Sequence, residues 1–320
     1  MTEEPSVDAI REGLASDDPE SRREAIRSLV EGREDWEGLD HLVPDLVEAL
    51  DDRTNACHAL DALHGMSEDE PEAVAPAVPE VVEFLEVREG LEGETPEAWL
   101  AEGTVVEHDS PATMRAHGKR RLRAVSLLGR VAEADPGAIA DDAGVLVAVA
   151  GRGDHPEIRT DVLAILATVA EARPNAFEGG IEPIAAILES DADVTVRANA
   201  AFLLAILAEE HPESVADATA SRGDAIREML ESDEDVAANA AVGLCAYVAE
   251  ERPEAVEPMA DSVLALLDHD LKSVRGNAVW TLAALDDEGI DERLASVAED
   301  DPSEDVREHA AAVLDDRSAE

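Results

Sequence analysis

The chain has 320 residues, with 76 acidic against 25 basic side chains, a formal net charge of -51 and an isoelectric point of about 4.2. Phosphate binding draws on clustered lysine and arginine, so this balance weighs against nucleic acid and anionic membranes as main partners. Hydrophobic residues still make up 45% of the sequence and recur with helical period, which rules out a disordered acidic tail for most of the chain and leaves a folded protein with a solvated acidic surface.

The amino-terminal Met1-Thr2-Glu3-Glu4-Pro5 is acidic where a signal peptide begins positive, and no apolar stretch approaches the roughly 20 residues of a membrane span. A cytoplasmic protein is expected. A first short apolar segment, Ile10 to Leu14, is followed by Asp18-Pro19 and then an alanine- and leucine-rich run. Aspartate suits the N-cap and proline the first helical turn, so a second helix starts there.

The same pair of helices returns down the chain. First helices are predicted around 42–50, 78–85, 145–149, 181–188, 226–230, 263–267 and 294–297. Each second helix carries an arginine near its start, at Arg22, Arg53, Arg121, Arg159, Arg197, Arg275 and Arg307, with Ala237 in one copy. Two residues on stands a polar column of Glu24, Asn55, Arg123, Asp161, Asn199, Asn239, Asn277 and His309. Five further on, Leu29, Leu60, Leu128, Leu166, Leu204, Leu244, Leu282 and Leu314 never vary. Two helical turns separate arginine from leucine, so both lie on one side of the helix.

Between Glu86 and about Gly118 the period fails, and a segment of roughly thirty residues is inserted. It contains Trp99 in a short amphipathic piece, and it ends in Arg115-Ala116-His117-Gly118-Lys119-Arg120-Arg121-Leu122-Arg123, the concentrated positive charge of the molecule. Insertions in repeat proteins gather on binding surfaces. Trp99, Arg115, Lys119, Arg120 and Arg123 are therefore candidate partner contacts, with internal pairing to the insert's own acids as the alternative. Further on, four second helices close before Pro136, Pro174, Pro212 and Pro253, because proline lacks an amide donor and turns the preceding residue away from helix.

Fixed-period self-similarity of this kind marks units that bury their apolar faces only against neighbours. The unit boundaries are approximately 6–34, 39–68, 71–134 with the insertion 86–118, 136–172, 174–210, 212–251, 253–286 and 288–317. The run from Asp193 to Ala200, with Val196, Arg197 and Asn199 inside it, resembles HEAT and armadillo repeats, and the resemblance covers nearly the whole chain. It implies an all-α fold, a superhelical α-solenoid of about eight two-helix units. It also implies a structural ladder between units formed by Asp193, Arg159, Arg197, Arg275 and Arg307, interrupted at Ala237 and Leu271. The acidic surface, with only two lysines, Lys119 and Lys272, is similar to that of proteins from salt-accumulating halophilic archaea.

No catalytic constellation emerges. Cys57 and Cys245 lie far apart without a Cys-x-x-Cys pair, and the nine histidines are scattered with no His-Glu dipeptide, the pair by which some HEAT-like hydroxylases hold iron. No metal and no cofactor are expected. Asn199, Asn239 and Asn277 fall at matching places, and armadillo-type importins hold a peptide backbone with such asparagines. There the resemblance also requires a tryptophan one turn earlier, whereas Trp280 follows Asn277. The expectation is a non-enzymatic scaffold that binds a protein partner on its concave face or at the insertion, with Asn199, Asn239, Asn277 and Trp280 as further candidate contacts. Two alternatives are a bilin-lyase-related HEAT-like enzyme or enzyme accessory, and nucleic-acid handling through the basic segment 115–123.

Overall fold

The computed structural model describes residues 6–32, 39–50, 55–86, 111–152, 155–189, 193–286 and 288–319, and every regular element among them is helical. The chain divides into two compact units, Met1–Ala176 and Phe177–Glu320. The first holds α1 (Val7–Leu14), α2 (Pro19–Gly32), α3 (Val43–Leu50), α4 (Ala56–Asp69), α5 (Val78–Glu86), α6 (Pro111–Ala134), α7 (Gly137–Ala140), α8 (Ala143–Gly151) and α9 (Pro156–Ala172). The second holds α10 (Ile181–Ile187), α11 (Val194–Ala208), α12 (Pro212–Thr219), α13 (Gly223–Leu230), α14 (Asp235–Glu251), α15 (Pro253–Val256), α16 (Ala260–Ala265), α17 (Lys272–Ala283), α18 (Glu288–Asp300) and α19 (Glu304–Ala319).

Side-chain caps set several helix starts. The Asp18 carboxylate accepts from the Ser21 amide at 3.1 Å and Asp193 from the Thr195 amide at 2.8 Å. Each satisfies an amide that the first helical turn leaves without an internal partner. Where the arginine is replaced by Ala237, the start moves one residue: Glu234, not Asp233, occupies the N-cap of α14, and its side chain makes no cap bond.

The second helices stand side by side within each unit. In the first, α4 packs between α2 and α6, and α6 between α4 and α9; in the second, α14 packs between α11 and α17, with α19 beside α17. The invariant leucines form the spine of this layer, for Leu29, Leu60, Leu128, Leu166, Leu204, Leu244 and Leu282 are all 0% exposed. Each such burial contributes about 1.5–3 kcal/mol. Leu314, on α19, is only half-buried.

Two details differ from the sequence expectation. The prolines that end second helices also open something: Pro174 begins a 3-10 turn, while Pro212 and Pro253 begin the short helices α12 and α15. Proline's fixed backbone angle suits a first helical turn, so the two-helix unit acquires a short third helix. The helix α6 begins at Pro111, inside the segment 86–118 read as an insertion, while residues 87–110 lie outside the described residues.

The repeated arginines reach carbonyls of their own turns. Arg22, Arg275 and Arg307 each donate from Nη1 to the carbonyl six residues earlier, to Ser16, His269 and Asp301 at 2.7, 2.7 and 2.6 Å. Arg159 donates from Nε to the Ala150 carbonyl at 2.6 Å. Some also reach the next repeat, Arg197 to Glu228 at 3.1 Å and Arg275 to Asp301 through two bonds of 2.7 and 3.0 Å. Asp193, by contrast, uses its carboxylate to cap its own helix.

One crossing depends on the absence of a side chain. A Cβ at Gly13 of α1 would lie 2.6 Å from the Ala25 Cβ of α2, well inside van der Waals contact. Alanine gains about 0.5–1 kcal/mol over glycine in a helix, but forcing atoms into a packed crossing costs about 1–3 kcal/mol. The Gly13→Ala variant is therefore expected to be less stable, by ~1 kcal/mol net, in hydrogen exchange of the α1 and α2 amides. Greater protection in the variant would overturn the reading.

Candidate protein-binding face

The side of α11, α14 and α17 turned away from their own core carries amides and aromatic rings on all three helices. On α11 it presents Asn199, Phe202, Ile206 and Glu209; on α14, Val236, Asn239, Gly243, Tyr247 and Glu250; on α17, Gly276, Asn277 and Trp280. Steps of three and four residues keep the α11 and α14 sets, and Asn277 with Trp280 on α17, each on one helix face. Phe202 is 51% exposed and Val236 47%, whereas Val196, Val274 and Val306, in the same repeat position as Val236, are 0 to 4% exposed.

Cross-helix contacts tie these stripes into one surface. The Tyr247 hydroxyl donates to Glu209 Oε1 at 3.0 Å, and the Trp280 indole Nε1 donates to Glu250 Oε1 at 2.5 Å. The Tyr247 and Trp280 ring centroids are 5.2 Å apart, with the planes inclined at 57°. Burial and the neighbouring Glu209 carboxylate push the Tyr247 hydroxyl above its ordinary pKa, so it remains a donor at neutral pH.

The asparagines do not bond to one another. Asn199 Nδ2 donates to the Thr195 carbonyl of its own helix at 2.8 Å. Asn239 Oδ1 is buried and without a hydrogen-bond partner. Asn277 Nδ2 lies 3.4 Å from where a Cβ on Gly243 would stand, so glycine lets that amide come close to α14. Beyond it a groove of about 290 Å³ runs between α17 and α19, lined by Gly276, Asn277, Trp280, Val306 and His309 together with Lys272, Ser273 and Asp305. Lys272 pairs there with Asp305 at 3.1 Å.

The column containing Phe202, Val242 and Trp280 divides: Phe202 is exposed, Trp280 half-buried and Val242 0% exposed. Tyr247, absent from the sequence-derived candidates, takes the place on α14 that Val242 does not.

In the first unit Arg123 takes the column of those asparagines, and charge pairs tie α4 to α6. Arg123 on α6 bonds to Asp61 on α4. Two helical turns further along α6, Arg130 Nη1 lies 3.2 Å from His64 Nε2 and 3.1 Å from the hydroxyl of fully buried Ser67, and its Nη2 lies 3.4 Å from Glu68. Burial, and then the Arg130 charge, hold His64 below the ordinary histidine pKa, so at neutral pH it is uncharged and accepts from the guanidinium. Arg115, Lys119 and Arg120 belong to helix α6, and the placement of their side chains lies outside the described residues, as does Trp99 altogether.

Among the described residues no group of three or more His, Cys, Asp or Glu is placed to hold a metal ion. Cys245 is fully enclosed, and burial pushes its thiol up to about 12, far from the thiolate that nucleophilic chemistry requires. No helix among the described residues is long and apolar enough to cross a membrane.

These features define an all-α fold in which helical repeats pack side by side within each unit. No family model matches the sequence, and no curated protein resembles it in sequence. A crystal structure of an engineered protein matches with a TM-score of 0.57 and 20% identity, over 98% of this chain and 92% of that one. A designed armadillo repeat protein in complex with the peptide (KR)4 matches with a TM-score of 0.48 and 15% identity, over 85% of this chain and 98% of the design. At such identities the likeness concerns the fold.

Proposed function

We propose that the protein is a non-enzymatic interaction scaffold that lays an extended segment of a partner protein across the exposed face of α11, α14 and α17. The observation that carries this is a contrast within one column of the repeat. Arg123 of the first unit is paired there with Asp61, whereas Asn199, Asn239 and Asn277 of the second stand beside the exposed Phe202 ring and the half-exposed rings of Tyr247 and Trp280. Amides spaced across adjacent helices suit the alternating donors and acceptors of an extended backbone, and half-exposed rings suit its side chains. The acidic rim, with Glu209, Glu250 and Asp305, favours a segment of positive charge. Its complement in charge is what the composition as a whole also selects.

The test is capture of partner proteins at molar salt, followed by mapping of the bound segment and its affinity for the Phe202→Ala, Asn239→Ala and Asn277→Ala variants. A loss of about 1–2 kcal/mol per hot-spot truncation, with unchanged melting, is the expected result. A mapped partner that binds all three variants as tightly as the parent chain would reject this face.

A further inference from the structure

Tyr247 and Trp280 differ from ordinary packing aromatics in how their polar edges are held. Both rings are half-exposed, they come from adjacent helices, and each is bonded at its edge to a separate carboxylate, Glu209 or Glu250. An indole N–H and a phenolic O–H both point along the plane of their ring. The two carboxylates therefore lie beside the rings, and each ring keeps part of its surface in solvent. Each carboxylate also has a second oxygen, so the site combines π surface with acceptors around its margin.

We propose that this pair is the seat of an arginine side chain in the bound segment, an inference that rests on the face assigned above to partner binding. A cation is drawn to the negative face of an aromatic ring, and tryptophan is the strongest of the three rings in this respect. Arginine fits better than lysine for a geometric reason. Its guanidinium is flat and weakly hydrated, so it lies on the ring while its in-plane N–H groups project toward acceptors at the margin. An ammonium is a compact point charge that keeps its water and has no plane to match. A neutral planar group of the same shape loses the attraction to both ring and carboxylate.

Among the described residues, Arg197 on α11 is engaged by Glu228, and Lys272 on α17 is paired with Asp305. The carboxylates Glu209 and Glu250 have as their described side-chain partners only the aromatic donors.

The probes are three nonapeptides of glycine and serine with a central arginine, lysine or citrulline, titrated into the full chain at molar salt. The reporter is the NMR signal of the Trp280 indole N–H, assigned by its loss in Trp280→Phe. The arginine peptide is expected to move that signal and to bind about tenfold more tightly than the other two. In Trp280→Ala the preference disappears. Because that change could disturb packing, the double variant Glu209→Gln with Glu250→Gln keeps both rings and is expected to reduce the preference while the melting transition persists. Equal binding of the three peptides, or an arginine preference that survives in both variants, overturns the proposal. If a mapped partner segment is still lost in Asn239→Ala and Asn277→Ala while no arginine preference is found, the seat falls and the binding face stands. If the asparagine variants retain that segment too, the face itself falls.

Discussion

Replacing Asp301 by alanine is expected to destabilise the carboxy-terminal repeats by about 3–5 kcal/mol, the loss seen when one partner of a buried ion pair is removed. Arg275 and Asp301 are paired through two parallel hydrogen bonds, with side chains only 8% and 3% exposed. Asp301 also accepts from the Ser303 amide, and Arg275 also donates to the carbonyls of His269 and Asp270. Truncating the aspartate leaves a guanidinium enclosed without its counter-charge and removes the acceptor of the Ser303 amide. By contrast, Arg197–Glu228 has a carboxylate 69% exposed, where water screens the pair, and it should contribute far less. Urea unfolding followed by exchange of the α17 and α19 amides separates the two, and a loss in Asp301→Ala no larger than in Glu228→Ala would refute the distinction.

The same pair carries a pH signature. The Arg275 hydrogen bonds hold Asp301 below the usual carboxylate range. A depressed folded-state pKa means that the unfolded chain takes up the proton more readily. Its contribution is therefore complete above the ordinary aspartate value of about 3.9 and is lost as pH falls through the lower folded value. Loosening of α19 should begin in that acid window, and Asp301→Asn should remove this part of the pH dependence.

Raising KCl from about 0.15 M to 2 M is expected to raise the melting midpoint by ~5 °C or more, equivalent to about 3 kcal/mol for a chain of this size. Two effects oppose each other. Salt weakens surface pairs such as Lys272–Asp305 or Arg227–Asp224, but each contributes at most about 1 kcal/mol. It also screens repulsion among carboxylates that outnumber cations enough to leave a net charge of -51. The Debye length falls from about 8 Å to under about 3 Å over that range, so repulsion between neighbouring surface acids is largely removed. Repulsion involves far more groups, and it decides the sign. A midpoint that is flat or falls over this range, read by circular dichroism, would contradict that account.

Much of the fold could be read from the sequence because its determinants are local and repeated. The invariant leucines and the capping aspartates at 18 and 193 are visible in any one copy, and repetition separates them from chance. What each arginine touches was less accessible, since reaching a carbonyl six residues back depends on the path of the turn. The face in the second unit was half legible. Asn199, Asn239, Asn277 and Trp280 share columns, but Tyr247 stands eight residues after Asn239 in a position no other aromatic occupies. Its contact with Trp280 arises from the offset between neighbouring helices, which one-dimensional spacing does not encode. The signal that remained was its being the sole tyrosine of the chain.

The bonds from Arg22, Arg275 and Arg307 to carbonyls six residues earlier also bear on the order in which the chain acquires structure. Closing so short a loop costs little chain entropy and takes far less time than bringing distant segments together. As synthesis proceeds from the amino terminus, each turn can be fastened once its arginine has emerged, before the following repeat exists to dock against it. Nascent repeats would then meet already shaped, and the hazard of pairing with the wrong one among several similar neighbours is lowered at its source.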